Sequence, residues 1–172
     1  MRSSIKLLLF SLSLTLLALA SPAWAQEKTP DAVKLSVSFT NSEYSNLFST
    51  EYAQGLSAEL DAKIARYDRF RIGGVFQWNR ANISDSQPVD TYSAGPQVSV
   101  DFFKGHISPF GRALFGVTTS YQQDRAFSRI YEFGFDVNLG HLVLRPFGLG
   151  YQKIEGVPGA AQRYSAGVGV RF

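Results

Sequence analysis

The residues equipped for acid–base or nucleophilic chemistry in this chain are few. Only two histidines occur, His106 and His141, and the first stands two positions before Ser108 in "HIS". That spacing puts an imidazole and a hydroxyl on one face of an extended strand, which is where a Ser/His hydrolase would begin. There is no cysteine, so no thiolate nucleophile, disulfide or Cys-based metal site is available. The histidines are far apart and the acids are dispersed among bases, so neither a metal site nor a cofactor is expected. "NIS" at Asn82 matches a glycosylation sequon by pattern only, and "GVGV" near the C-terminus reads as strand glycine, because no helix follows it to bind a phosphate.

What the chain holds in quantity is charge at alternate positions. Lys34, Glu59, Asp61, Lys63, Arg71, Asp101, Arg112, Glu132, Asp136, Arg145, Arg163 and Arg171 all share one parity within segments that alternate polar with apolar. Alternation with a period of two is the signature of a β-strand with two unlike faces. "VKLSVSFT" puts Val33, Leu35, Val37 and Phe39 on one face, and "LSAELDAKI" sets Leu56 to Ile64 against Ser57, Glu59, Asp61 and Lys63. The same pattern recurs in "FRIGGVFQW", "YSAGPQVSVDF", "PFGRALFGVTTSY", "YEFGFDVNL", "LVLRPFGLGY" and "RYSAGVGVRF". No segment beyond residue 25 carries a convincing helical period, and Phe, Tyr and Gly are abundant, so the chain reads as all-β.

The connections suggest an order for these eight segments. Tyr67-Asp68-Arg69, Lys104-Gly105 and Gly140-His141 read as tight turns, whereas 41–53, 80–90, 122–125 and 154–160 read as mostly longer and polar loops. Opposed residues of a hairpin must point to the same face. The turns set Asp136 opposite Arg145, Asp101 opposite Ser108, Gln97 opposite Arg112, Arg66 opposite Phe70 and Asp61 opposite Val75, so polar meets polar in two hairpins and the faces stay matched in the third. Short turns at one end and longer loops at the other are the plan of an eight-stranded antiparallel up-and-down transmembrane β-barrel. Aromatics on the apolar parity gather near strand ends, with Phe39, Trp78, Tyr92, Tyr121, Phe127 and Tyr131 toward the long loops and Phe70, Phe102 and Phe172 toward the turns, as in two interfacial girdles. A soluble lipocalin-like binding barrel alternates too, with the opposite polarity.

The N-terminus points to export. Arg2 and Lys6 precede the apolar run "LLLFSLSLTLLALA", and "SPAWAQ" supplies an A-x-A site at Ala23 and Ala25, so residues 1–25 read as a cleaved signal peptide and 26–172 as the barrel domain. The signal takes two of the 17 bases, leaving 15 against 14 acids, and this near balance gives no reason to expect nucleic acid as a partner.

At the other end Tyr164, Val168, Val170 and Phe172 form an alternating apolar run that stops on an aromatic. This segment resembles the C-terminal strand of bacterial outer-membrane barrels, and the resemblance implies an assembly signal read by the outer-membrane barrel assembly machinery. Residues 31–172 as a whole resemble the eight-stranded barrels of outer membrane protein A and outer membrane protein X. "NLGHLVLRPFGLGYQ" and "RYSAGVGVRF" are similar to terminal segments of acidobacterial-type outer-membrane barrel proteins, a family that implies a fold and a location but no settled activity. The resemblance implies a monomer in the cell outer membrane, with the bilayer and its lipopolysaccharide as partners and a structural or cell-surface role.

Within such a barrel the charged parity lines the lumen. Arg112 is expected opposite residue 134 or 136, which would align Arg112, Asp136 and Arg145 on three adjacent strands, with Gln97 and Glu132 extending the row and Glu59, Asp61 and Arg71 beside it. The expectation is a self-compensating salt-bridge network that plugs the barrel, since eight strands leave an interior just wide enough for side chains. The alternatives are a narrow pore for small solutes and a lipid A-modifying enzyme. The His106–Ser108 spacing resembles that of lipid A deacylase barrels, but it falls at the tight-turn end, away from the outer leaflet.

Overall fold

A computed structural model describes residues 33–45, 50–83, 87–120, 123–157 and 159–172. The signal peptide over 1–25 and Tyr121 of the girdle lie outside these described residues. Eight strands follow in order: β1 Val33–Ser45, β2 Thr50–Tyr67, β3 Phe70–Ile83, β4 Gln87–Val100, β5 Ile107–Ser120, β6 Gln123–Leu139, β7 Leu142–Ile154 and β8 Ala160–Arg171. Each pairs antiparallel with the next, and β8 returns to β1 to close the barrel. The seam is continuous, with Leu35 opposite Val170 and Phe172 N–H donating to Val33 O at 2.9 Å. Closure leaves no edge strand with unpaired N–H and C=O groups.

Side-chain exposure decides which face is which. Phe133 is 57% exposed while Glu132 beside it is 4% exposed, and the same contrast runs around the ring: Leu35, Leu60, Phe76, Val98 and Val168 point out, and Lys34, Gln77, Gln97, Arg112 and Arg163 point in. An apolar wall around a charged interior is the reverse of a soluble binding barrel, so the lipocalin-like alternative is set aside. On β8 the outward band runs from Tyr164 to Phe172, above which Gln162 is outward and polar; Arg80 and Arg129 mark the same boundary on β3 and β6. A tilted strand of that length spans roughly 25 Å, the height of the apolar band of a membrane barrel. At its upper rim Trp78 pairs with Tyr92 and donates its indole N–H to Asp90 Oδ1 at 3.1 Å, the wet end that an interfacial tryptophan requires.

Four expectations about connections and register are corrected. First, most of 41–53 and 80–90 is strand: Asn41–Ser45 pair with Thr50–Gln54, and Arg80–Ile83 with Gln87–Asp90. Polar side chains had marked these segments as loops, but the ladder is made by backbone groups and continues past the apolar band. Second, the first hairpin turns on Asp68-Arg69 alone, with Tyr67 opposite Phe70 and Arg66 opposite Arg71; a bulge between Lys63 and Ala65 then restores Asp61 to Val75. Lys63 is thereby exposed at the mouth. Third, Lys104-Gly105 sits inside a short 3-10 turn, Phe103–Gly105, closed by Gly105 N–H donating to Phe102 O at 2.9 Å. Fourth, Arg112 pairs with Glu132, not with residue 134 or 136, because β6 already begins at Gln123, paired with Ser120, where a loop over 122–125 was expected; the irregularity between Thr118 and Ser120 offsets only one residue of that difference.

Gln97 meets Arg112 and Leu139 meets Leu142, as turn length requires. Asp136 faces a third irregularity, where the β7 register shifts between Leu144 and Phe147. Pro146 lies in this bulge, where its missing N–H takes nothing from the ladder.

Gly140 turns the β6–β7 hairpin at φ 67°, a conformation costly for a residue with a Cβ. Gly140→Val should therefore destabilise the barrel by about 1–2 kcal/mol, measured by urea unfolding in detergent. Gly111→Ala is the control, because a Cβ there meets nothing within 4 Å and the change should leave the midpoint unmoved or slightly raised.

Candidate functional site

The inward parity assembles one chain of alternating charge across the lumen. It starts at Glu132 on β6, whose Oε2 lies 2.9 Å from Arg112 Nη2 on β5. Arg112 crosses to Glu59 on β2, with Nη1 to Oε2 at 2.7 Å and Nη2 to Oε1 at 3.0 Å. Arg145 of β7 reaches the same carboxylate, its Nη1 at 2.9 Å from both oxygens, and its Nε donates to Asp136 Oδ1 at 2.9 Å. Asp136 then holds Lys34 Nζ of β1 at 2.6 Å, and Lys34 holds Asp61 at 3.1 Å. Acid and base alternate without a break, and every link joins different strands.

Neutral groups occupy remaining valences. Gln77 Nε2 donates to Glu59 Oε1 at 3.2 Å, Ser165 Oγ to Glu132 Oε1 at 3.0 Å, and Gln97 Nε2 to Asp61 Oδ2 at 2.7 Å. Phe110 also points inward, and the guanidinium carbons of Arg145 and Arg112 lie 4.4 and 5.4 Å from its ring centroid. Above this layer Val75, Leu114 and Ile130 pack into a small apolar cluster inside the barrel.

The row expected from sequence is thus rearranged. Arg145 and Asp136 do meet, but Arg112 binds Glu59 and Glu132 rather than lying in a row with Asp136, and Gln97 reaches Asp61 rather than extending that row. Lys34, Gln77 and Phe110 were absent from the expected site. Parity alone could have included them, since Lys34 is itself one of the charged set and Gln77 and Phe110 share the phase of Arg71 and Arg112, but parity does not say which opposite wall a long side chain will reach.

Arg71 belongs to a second cluster at the tight-turn mouth. Asp101 accepts from Arg71 Nη2 at 2.9 Å and from Ser108 Oγ at 2.8 Å, and Arg66 lies at 3.4 Å from it. Ser108 also accepts from Arg71 and from Asn138, each at 2.8 Å, and Asn138 Oδ1 accepts from Arg171 at 2.7 Å. The Ser108 hydroxyl therefore spends its proton on Asp101. Between the two clusters lies a cavity of about 30 Å³ lined by Lys34, Asp61, Arg71 and Asp136 among others, room for one or two waters. His106 Nδ1 lies 3.4 Å from Asn138 O, and His141 Nδ1 lies 3.0 Å from Arg171 O, so both imidazoles sit at turns on backbone carbonyls. Among the described residues no group of three or more metal-ligating side chains gathers.

A closed ring of eight antiparallel strands with an apolar wall and a polar, ion-paired interior is the architecture of the small outer-membrane β-barrels. Solved structures of that class superpose along nearly their full length. Ail, the attachment invasion locus protein of Yersinia pestis, matches with a TM-score of 0.60 at 16% identity, covering 84% of this chain and 100% of Ail. Neisserial surface protein A matches at 0.59 and 15% identity, covering 81% of this chain and 97% of that one. The outer membrane enzyme PagL matches at 0.54 and 12% identity, covering 81% and 99%. No protein-family model and no curated protein matches the sequence. These likenesses carry the fold.

Glu59 is the branch point, since its carboxylate is shared by two buried guanidinium groups. Removing one partner of a buried ion pair costs about 3–5 kcal/mol, less where lumen water screens the remainder. Glu59→Ala should therefore lower urea stability more than Arg112→Ala, which leaves Glu59 paired with Arg145. A Glu59/Arg112 double-mutant cycle should show strong coupling, and an Arg112/Asp136 cycle should show little.

Proposed function

We propose that this chain is an integral outer-membrane barrel, exported by its signal peptide, whose role is structural or at the cell surface rather than enzymatic. The observation that carries this reading is the alternating ion chain, which crosses a narrow lumen inside an apolar wall and supports a plugged interior. A pore needs an unobstructed polar path, whereas here Arg112 and Arg145 meet Glu59 from opposite walls. Enzymatic action at His106 and Ser108 is disfavoured, because the serine hydroxyl is committed to Asp101. A surface role agrees with one structural neighbour: Ail has been solved in complex with the heparin analogue sucrose octasulfate.

Three measurements test the reading. The chain should fractionate with the outer membrane and migrate differently before and after boiling in detergent; a soluble periplasmic product would sink the proposal. In planar bilayers the wild type should conduct poorly and Arg112→Ala should leak more, whereas large, steady wild-type conductance that the variant leaves unchanged would favour a channel.

Assembly supplies the third. Tyr164, Val168, Val170 and Phe172 are proposed as the signal read by the assembly machinery, with Phe172 as its terminal element. Deleting Phe172 should lower the folded yield in cells far more than a charged substitution at Val33, which lies opposite it across the seam. Equal losses at both positions would refute a recognition role.

A further inference from the structure

One buried lumen cation belongs to neither of the two clusters. Arg163 of β8 is 2% exposed, and its one hydrogen bond is a long one, Nη1 to Gln77 Oε1 at 3.4 Å. Among the described residues its Nε and Nη2 have no hydrogen-bond partner and no ion pair includes it. Arg112 also leaves Nε unbonded, and Arg145 leaves Nη2, but each holds two carboxylates. A guanidinium withdrawn from water without a counter-ion is unfavourable unless something compensates it.

Its surroundings are rich in unused donors. Ser42 and Gly150 flank Arg163 on the neighbouring strands. Gln77, which it reaches, has Ser93 opposite on β4 and Glu59 opposite on β2, and Ser57 is the next inward residue of β2 beyond Glu59, paired with Ser38 of β1. The hydroxyls of Ser38, Ser57 and Ser93 are buried and have no hydrogen-bond partner among the described residues. A hydroxyl can turn its proton toward an acceptor, and a guanidinium has only donors to offer. Within the described lumen, Lys34, Arg71, Arg112, Arg145, Arg163 and Arg171 face Glu59, Asp61, Asp101, Glu132 and Asp136, which leaves one positive charge in excess. The bound species must also be small, because side chains fill an eight-strand interior. A multivalent oxyanion would be repelled by Glu59 and Glu132.

We propose that Arg163, with the hydroxyls of Ser38, Ser57 and Ser93, forms a site for one small monovalent anion of halide type, in the half of the lumen on the long-loop side of the ion chain. The site goes beyond a structural role and does not depend on where the barrel resides. The anion would enter from the long-loop mouth and stop at the ion chain, so binding and poor conductance are compatible.

The test uses the mature chain refolded in detergent and chloride as the probe. The chlorine-35 NMR line should broaden saturably, bromide should compete, and sulfate should not. Arg163→Gln should abolish the saturable component, and Ser57→Ala/Ser93→Ala, which keeps every charge, should weaken it; this second variant decides the matter should Arg163→Gln fail to fold. Chloride should also raise the wild-type unfolding midpoint relative to gluconate at equal ionic strength. Broadening no greater than that of empty micelles would mean that water alone fills the space, and saturable broadening that survives both variants would place the anion elsewhere; either result overturns the proposal.

Discussion

An eight-strand ring is so narrow that side chains from opposite walls touch, and any charge placed inside must be neutralised there. This constraint accounts for most of what is seen in the lumen. Glu59 is reached by Arg112 and by Arg145 from two other strands, and each arginine goes on to a second carboxylate. Removing an ion from that chain takes a partner from its immediate neighbour, most of all at Glu59, which two guanidinium groups share, so adjacent links are coupled rather than independent. Phe110, under both guanidinium groups, fills the remaining width with a face that tolerates cations.

The wall follows from the complementary constraint. Inside hydrocarbon no water is available to backbone groups, so the ladder must close on itself, and the β1–β8 seam does this up to the final residue. Outward side chains then need only be apolar, and they vary freely between Ala, Val, Leu and aromatics. Above the band, Arg80 and Arg129 point outward while the same strands continue, so the strands reach beyond the apolar zone. By height the lumen thus holds an ion-paired layer and, on its long-loop side, a level lined by hydroxyls that contains Arg163.

Alternation in the sequence is a strong record of strands because the side-chain period of a β-strand is two whatever its partners are. Leu35 against Lys34, or Phe133 against Glu132, needed no tertiary information to assign. Hairpin register was legible where turns were short, as at Gln97–Arg112. It failed at Arg66 and at the Arg112–Glu132 pair, where each connection is shorter than its polar residues suggest, and the bulges that partly offset this leave no change in composition to announce them. Loop limits failed for a related reason: Asn41–Ser45 look like loop residues because they are polar, yet they pair with Thr50–Gln54 through their backbones.

The sequence by itself determined which residues face the wall, which face the lumen, and that the lumen carries a near-balanced set of charges, because these depend on parity and composition alone. Only the tertiary structure decided who pairs with whom. Arg112 meets Glu59 across the lumen, 53 positions away in sequence, and Lys34 meets Asp136 across 102. Such contacts are set by strand tilt, by bulges and by the reach of long side chains across a closed ring, none of which leaves a periodic trace in the order of residues. The same geometry leaves Arg163 outside every ion pair among the described residues, which parity does not show, since it counts Arg163 as one more inward charge.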